Sequence, residues 1–266
     1  MKKTILITGS TDGIGKLAAI KLAEEGHKVY LHGRNAQKLA ALVAEIRSTS
    51  HNEEVDGFTA DFSDLQAVQH MATEVTEKLS SLDVLINNAG IFNSKPLVNQ
   101  EGMDIRYVVN YLAPWVLTEA LLPMLEKGTD PRLINLSSAA QAPVSYDILQ
   151  GKSTGLERAT YAQSKLALTM WSFHLAKKYP TLSVVALNPG SLLNTNMVRE
   201  AFGHHWSSAD KGANIIHELA VSDKHEGITG KYYDNDQGSY GQAHADAYDA
   251  QEVEKLIQTT KSLLAT

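Results

Sequence analysis

Thr4-Ile5-Leu6-Ile7-Thr8-Gly9-Ser10-Thr11-Asp12-Gly13-Ile14-Gly15-Lys16 stands almost at the start of the chain, and its reading decides the fold. Thr4 to Ile7 are apolar or β-branched at successive positions, as a strand buried on both faces requires. From Ile14 the spacing of Leu17, Ala18, Ile20, Leu22 and Ala23 predicts a helix that stops at Gly26. Between the two lies TGxxxGIG. It is not GxGxxG, but glycines after a buried strand and before an amphipathic helix meet the same need. They permit a tight turn, let backbone amides approach a phosphate, and aim the helix's positive end at it. Gly9, Ser10, Thr11, Gly13, Ile14 and Gly15 are therefore the candidate phosphate cradle. Gly151-Lys152-Ser153 ends like another phosphate loop, but Tyr146 stands where that motif needs glycine, and no apolar strand precedes it.

Outward from this turn the pattern repeats. Val29–Leu31, Val55–Thr59, Val84–Ile86, Leu133–Leu136 and Val184–Leu187 read as further strands. Ala36 to about Arg47, Leu65 to Leu79, a long stretch ending near Lys127, and Tyr161 to Tyr179 read as helices. Apolar strands alternating with helices predict an α/β chain: a doubly wound, Rossmann-type parallel sheet with helices on both faces, its ligand site at the carboxyl ends of the strands. Residues 141 to 160 read as a long polar loop near that site. Beyond Thr195 the pattern weakens, leaving helices at Ala213–Ala220 and Glu252–Leu264. Whether Tyr232-Tyr233 and Tyr240 line a pocket or pack is open.

The 266 residues, 43% of them hydrophobic, read as a single domain, residues 1–266. A net charge of −6 argues against nucleic acid or an anionic membrane as partner. Cysteine is absent, which excludes thiolate metal sites and a cysteine nucleophile. The N-terminus is too short in apolar residues for a signal peptide, and no apolar run looks long enough to span a bilayer, so a cytoplasmic protein is expected. Ten histidines show no HExxH spacing, and no metal site is expected.

Further motifs stand in a fixed order: Asn87-Asn88-Ala89-Gly90, Asn110, Ser138, Tyr161-x-x-x-Lys165 and Pro189-Gly190. Together with the glycine turn, over residues 3 to about 195, this set resembles the short-chain dehydrogenases/reductases. Within that family, the Ser164–Ala167 run and the spacing look most like the retinol-dehydrogenase-like and related bacterial reductases. The resemblance implies an oxidoreductase that moves a hydride between a nicotinamide dinucleotide and a small carbonyl or alcohol substrate.

It further implies that Tyr161 is the acid/base, Ser138 polarises the carbonyl, and Lys165 holds the nicotinamide ribose. Asn110 would orient a water that relays protons to Lys165. Arg34, Asp61, Phe62, Asn88, Ala89, Gly90, Pro189, Gly190 and Leu192 would join the glycine turn and the Tyr161–Lys165 pair in binding the cofactor. The residues themselves give part of this. Four apart on a helix, Tyr161 and Lys165 share a face, and an ammonium there would pull a phenol down from its usual pKa of about 10. Ser137 rivals Ser138 as the serine after the fifth strand, and the family's register favours Ser138. Asn135-Leu136-Ser137 is a glycosylation sequon within an expected buried strand and reads as inert.

The second strand ends at Gly33-Arg34, without the acid that binds a ribose 2′-hydroxyl in NAD users. A guanidinium suits a 2′-phosphate, so NADP(H) is favoured over NAD(H), against which stands Asp12 in the turn. Two features depart from the family. The 23 residues from Ser138 to Tyr161 exceed the usual gap, and the insert is expected to line or lid the substrate pocket. One extra residue after Pro189-Gly190 keeps Thr195 from being assigned to the carboxamide, and about 192–245 is expected to form the substrate side. Many members form homodimers or homotetramers through their long helices; the residues here do not decide it. A catalytically weak NADP(H)-binding sensor is the alternative reading, but such proteins lose the tyrosine or the lysine. An epimerase or dehydratase would show two residues between the first glycines and a longer C-terminus.

Overall fold

The computed structural model describes residues 1–265. Its strands are β1 (Thr4–Ile7), β2 (Lys28–Gly33), β3 (Val55–Thr59), β4 (Val84–Asn87), β5 (Arg132–Leu136), β6 (Ser183–Asn188), β7 (Lys231–Asp234) and β8 (Ser239–Gly241). Interleaved helices are α1 (Gly13–Glu24), α2 (Ala36–Ser50), α3 (Leu65–Lys78), α4 (Ile105–Tyr107), α5 (Ala113–Leu125), α6 (Tyr146–Leu149), α7 (Glu157–Lys178), α8 (Asn196–Phe202), α9 (Ala209–Val221) and α10 (Ala250–Leu264). A π-helical turn, Val108–Leu112, joins α4 to α5.

All the strands form one sheet in the order β3-β2-β1-β4-β5-β6-β7-β8. Every neighbouring pair is parallel except β7 with β8, so the expected doubly wound sheet carries one antiparallel edge strand. Successive strand residues feed two cores. Leu6, Leu85, Leu133 and Val184 pack with Met71, Leu121, Trp171 and Leu256 on one face. Ile5, Ile7, Val84, Ile86, Ile134 and Val185 pack with Ala18, Leu22, Ile46 and Ile216 on the other. Chain order reverses between β1 and β4, and there the loops at the strand ends part to leave a crevice.

Three expectations need correction. The helix before Lys127 begins only at Ile105, since residues 88–104 have no regular structure beyond an isolated bridge at Val98 and Asp104. Ile105–Leu125 is long and apolar enough to cross a membrane, contrary to the reading that no such run exists, but 78% of its apolar 18-residue window is buried inside the fold. The 141–160 segment is not a plain loop. It contains α6, whose Ile148 and Leu149 are buried, and α7 begins at Glu157.

The edge strands resolve the tyrosines. Tyr232 enters the first core and Tyr233 the second, where Tyr240 packs on it with ring centroids 5.0 Å apart. Helix α10 lies on α7 and buries Leu256 and Ile257 completely. Tyr111 of the π turn and Thr260 hydrogen-bond at 2.8 Å beneath it, so the chain's own last helix is tied to the π turn as well as to α7. Truncation of Leu256 to Ala should therefore cost about 2–5 kcal/mol of unfolding free energy, read from urea denaturation. A change within error would mean that α10 does not seat as described.

Candidate functional site

A cleft of about 1080 Å³ runs along the carboxyl edge of the sheet. At one end it is lined by Gly9, Thr11, Gly33, Arg34, Asp61 and Phe62, and in the middle by Gly13, Ile14, Gly15, Asn88, Ala89 and Gly90. Ser138, Tyr161, Pro189, Gly190, Leu193 and Thr195 follow, and residues 91–96, 98–101, 196–198 and Glu200 complete the lining.

The glycines of the turn serve close approach. Gly9 has φ +60°, and a Cβ on it would lie 2.7 Å from the Cα of Ala89. A Cβ on Gly15 would lie 2.4 Å from Asn88 Nδ2. That amide donates to the carbonyls of Thr8 and Gly9 at 2.8 and 2.9 Å, and Ala89 N–H donates to Thr8 Oγ at 3.0 Å. The result is a side-chain-free floor at the start of α1, with the size and polarity that suit a pyrophosphate. At the second strand's end, a Cβ on Gly33 would meet Thr11 Cγ2 at 2.5 Å, so a side chain there would require Thr11 to give way.

Three predicted cofactor contacts, Ser10, Leu192 and Lys165, fall outside this lining. Ser10 is fully buried beneath the turn: its hydroxyl donates to Ile7 O at 2.9 Å and accepts His32 N–H at 3.0 Å, while its own N–H is bound to His32 O. Its side chain thus fixes the turn from behind. Leu192 has φ +46° and turns aside, and Leu193 lines the cleft instead. Thr195, which the spacing left unassigned, also lines it and caps α8 through its hydroxyl. The insert expected to shape the pocket does not reach it: no lining residue comes from 141–160. That segment is drawn to the C-terminal region, Gln141 accepting from His244 N–H and Tyr146 donating to Glu252. The far walls are the 91–101 loop and α8, neither of which shows a hydrophobic period in the sequence.

Ser138, two residues beyond β5, stands beside the phenol of Tyr161, whose ring packs on Phe92 at 4.8 Å between centroids. Ser137, its sequence rival, points into the core and bonds Lys165 O and Thr169. Lys165 lies one layer back, 4% exposed, with Nζ donating to Leu136 O at 2.6 Å and 5.7 Å from the Tyr161 ring centre. Asn110 sits within the π turn. Both amide N–H groups are engaged, one by Ile91 O and one by Ser164 Oγ, and Oδ1 accepts Ile91 N–H at 2.8 Å. Its side chain fastens the 90s loop to the helix that carries Tyr161.

Residues 3–205 match the family described as short chain dehydrogenase. The chain belongs to the short-chain dehydrogenase family. Retinol dehydrogenase 13 of Homo sapiens is 30% identical over 252 residues, 87% of this chain and 76% of that one. A Mycobacterium paratuberculosis protein of known structure superposes with a TM-score of 0.80 at 26% identity, covering 99% of this chain and 94% of its own. An Escherichia coli CFT073 short chain dehydrogenase complexed with NADPH superposes with a TM-score of 0.72 at 27% identity over 88% of this chain and 96% of its own. This short-chain dehydrogenase is thus an NAD(P)-dependent oxidoreductase, and its glycine floor fits the dinucleotide that family requires.

The electrostatics of the dehydrogenase site differ from the simple expectation. Burial pushes the Tyr161 phenol above its usual pKa, and the Ser138 hydroxyl beside it only partly opposes this; Lys165 is not what governs it. The same burial pulls the Lys165 ammonium down to about 7. The reason is geometric, because Nζ is sequestered on a backbone carbonyl, without a carboxylate to hold its charge. Since the folded chain binds that proton less tightly than the unfolded one, stability should rise as pH rises from about 7 towards about 10. Urea denaturation at the two ends of this window should show the rise in the wild type and a flatter response in Lys165→Met. Equal slopes would place the ammonium in a solvated setting. A second variant, Gly15→Val, should displace Asn88 and weaken NADP⁺ binding by about tenfold or more, measured by isothermal titration, because its clash involves Gly9 O as well. Unchanged affinity would mean the floor is more yielding than its close contacts indicate.

Proposed function

We propose that this dehydrogenase transfers hydride between NADP(H) and a carbonyl or alcohol substrate, with Tyr161 as acid/base. The observation that carries this reading is the juxtaposition of Ser138 and Tyr161 in the same cleft as the glycine floor, with a buried lysine behind them. When bound, the dinucleotide supplies or accepts the hydride. The remaining work falls to the chain. Ser138 donates to the substrate oxygen and stabilises charge as it develops there. Tyr161 gives its proton to that oxygen as the carbon–oxygen double bond becomes single. A phenol raised by burial is held protonated, which suits the reducing direction. Lys165, one layer behind Gly90 of the cleft floor, would turn its Nζ from Leu136 O to hold the ribose and return a proton to Tyr161, while Asn110 keeps the 90s loop and α7 in register for that exchange.

NADP(H) is preferred over NAD(H) in this reading for two reasons. Thr11 occupies the space an acid at position 33 would need, and Arg34 is exposed on the adjoining wall, where a 2′-phosphate would meet it. The solved relative holding NADPH agrees with that choice. The alternative, a nonenzymatic sensor on the same fold, has no observation in its favour once Tyr161 faces the cleft.

Tyr161→Phe should lower turnover by about 10²–10⁴-fold with NADP⁺ affinity unchanged, measured with a panel of aldehydes, ketones and quinones while following NADPH absorbance. Undiminished turnover would remove Tyr161 from the chemistry. Arg34→Gln should raise KM for NADPH by about tenfold or more and leave KM for NADH nearly unmoved. A parallel rise for both cofactors would defeat the 2′-phosphate assignment.

A further inference from the structure

His32 lies at the end of β2 between the two loops that hold the adenosine end of the cleft, and it is 3% exposed. Its Nε2 is 3.0 Å from Ala60 O, and a carbonyl can only accept, so the ring proton is on Nε2. Nδ1 is then a bare acceptor, and it takes the N–H of Gly9 at 3.0 Å. The backbone of the same residue is bound twice to Ser10, accepting its N–H and donating to its hydroxyl. The ring also stacks on Phe62, with centroids 4.2 Å apart. One imidazole thus grips the glycine turn on one side and the start of the Asp61–Phe62 wall on the other, while Gly33 and Arg34 continue from its own backbone.

Taking the dinucleotide reading as its basis, we infer that His32 is a positioning residue for the cofactor, whose neutral Nε2–H imidazole fixes the spacing of the three walls that hold the adenosine end. Gly9 is where this matters most. Its φ of +60° and its contact with Ala89 leave the turn one conformation that keeps the floor open. Its N–H has no helix to pair with, and His32 supplies the acceptor. Of the charged groups around the ring, only Asp61 acts on it, in the direction that favours protonation. Burial outweighs Asp61 and holds the pKa near 4, so the acceptor persists through the neutral range. A proton on Nδ1 would set two N–H groups against each other and push Gly9 towards the cleft.

The two ring bonds can be removed separately. In His32→Asn the side-chain oxygen stands where Nδ1 was and keeps the Gly9 bond. His32→Gln reaches towards Ala60 but leaves Gly9 N–H without its acceptor, and His32→Leu keeps bulk and loses both. Calorimetric titration with NADP⁺ at neutral pH should give His32→Asn within about threefold of the wild type, and the other two weaker by about tenfold or more. The turnover number at saturating NADPH should move far less than KM in all three. A purely structural role would lower melting temperature alike in all three and leave NADP⁺ affinity of the folded protein alone; that result, or equal weakening by Asn and Leu, overturns the inference. Should a variant fail to fold, the wild type decides: ¹⁵N spectra at pH 6 should show His32 neutral with its proton on Nε2, and a charged ring or a proton on Nδ1 overturns it. Wild-type protein that binds neither NADP⁺ nor NAD⁺ would instead bring down the dinucleotide reading, which a normal His32→Leu affinity beside a binding wild type would leave standing.

Discussion

Two loops touch where the order of the sheet reverses, and the rest of the site depends on that contact. The turn after β1 and the Asn88–Gly90 segment after β4 meet with no side chain between them at Gly9 and Gly15, and Asn88 bonds across to two carbonyls of the turn. Helix α1 can start there only because this approach is possible. The same approach sets how far Gly90 stands from Lys165, and so how the floor of the cleft relates to the helix bearing Tyr161. Sheet topology supplies the crevice; the absence of two Cβ atoms determines its depth.

Buried polar groups then carry this geometry away from the contact. Asn87 donates to Asn135 and Thr118, and Asn135 donates to Ser172, so β4, β5, α5 and α7 are joined through the centre of one core. Each bond is made in a low-dielectric interior where an unmade one would be costly, which ties the relative placement of the strands closely. Arg106 is completely buried against Asp104 at the entry to the π turn, with one guanidinium nitrogen unpartnered. That ion pair fixes the end of the 90s loop, and Asn110 fixes its start.

Much of this was legible in the residues. Strands β1, β2, β4, β5 and β6 are short, mainly apolar runs, β3 less so with Asp56 and Gly57 at its centre, and α1, α3 and α7 follow from glycine and spacing signals. The ordered motifs put Ser138 and Tyr161 in one place, where the folded chain also brings them. What could not be read has physical causes. Strand β7 has Lys231 and Asp234 at its ends and β8 is three residues long, so neither carries a pattern. Helix α8 buries no residue and leaves no periodic trace. Ser10 and Leu192 match motif positions whose neighbours line the cleft, but side-chain direction is settled by φ and by competing hydrogen bonds that a motif does not record. The behaviour of the Tyr161–Lys165 pair was misjudged for a similar reason. Spacing gives proximity, whereas burial of each group decides which way its proton affinity moves.

The weakest wall of the cleft is also the one that separates its far end from solvent. Seven residues long, α8 would not persist as an isolated helix in water. It is held by Asn196 donating to Asp12 at 2.5 Å, by the Thr195 cap, and by Arg199 bonding back to Asn194 and Asn196. Asp12 in turn caps α1 within the glycine turn. One exposed carboxylate therefore serves both compartments, capping the helix that begins at the glycine turn and holding the first residue of the helix that walls the outer vestibule.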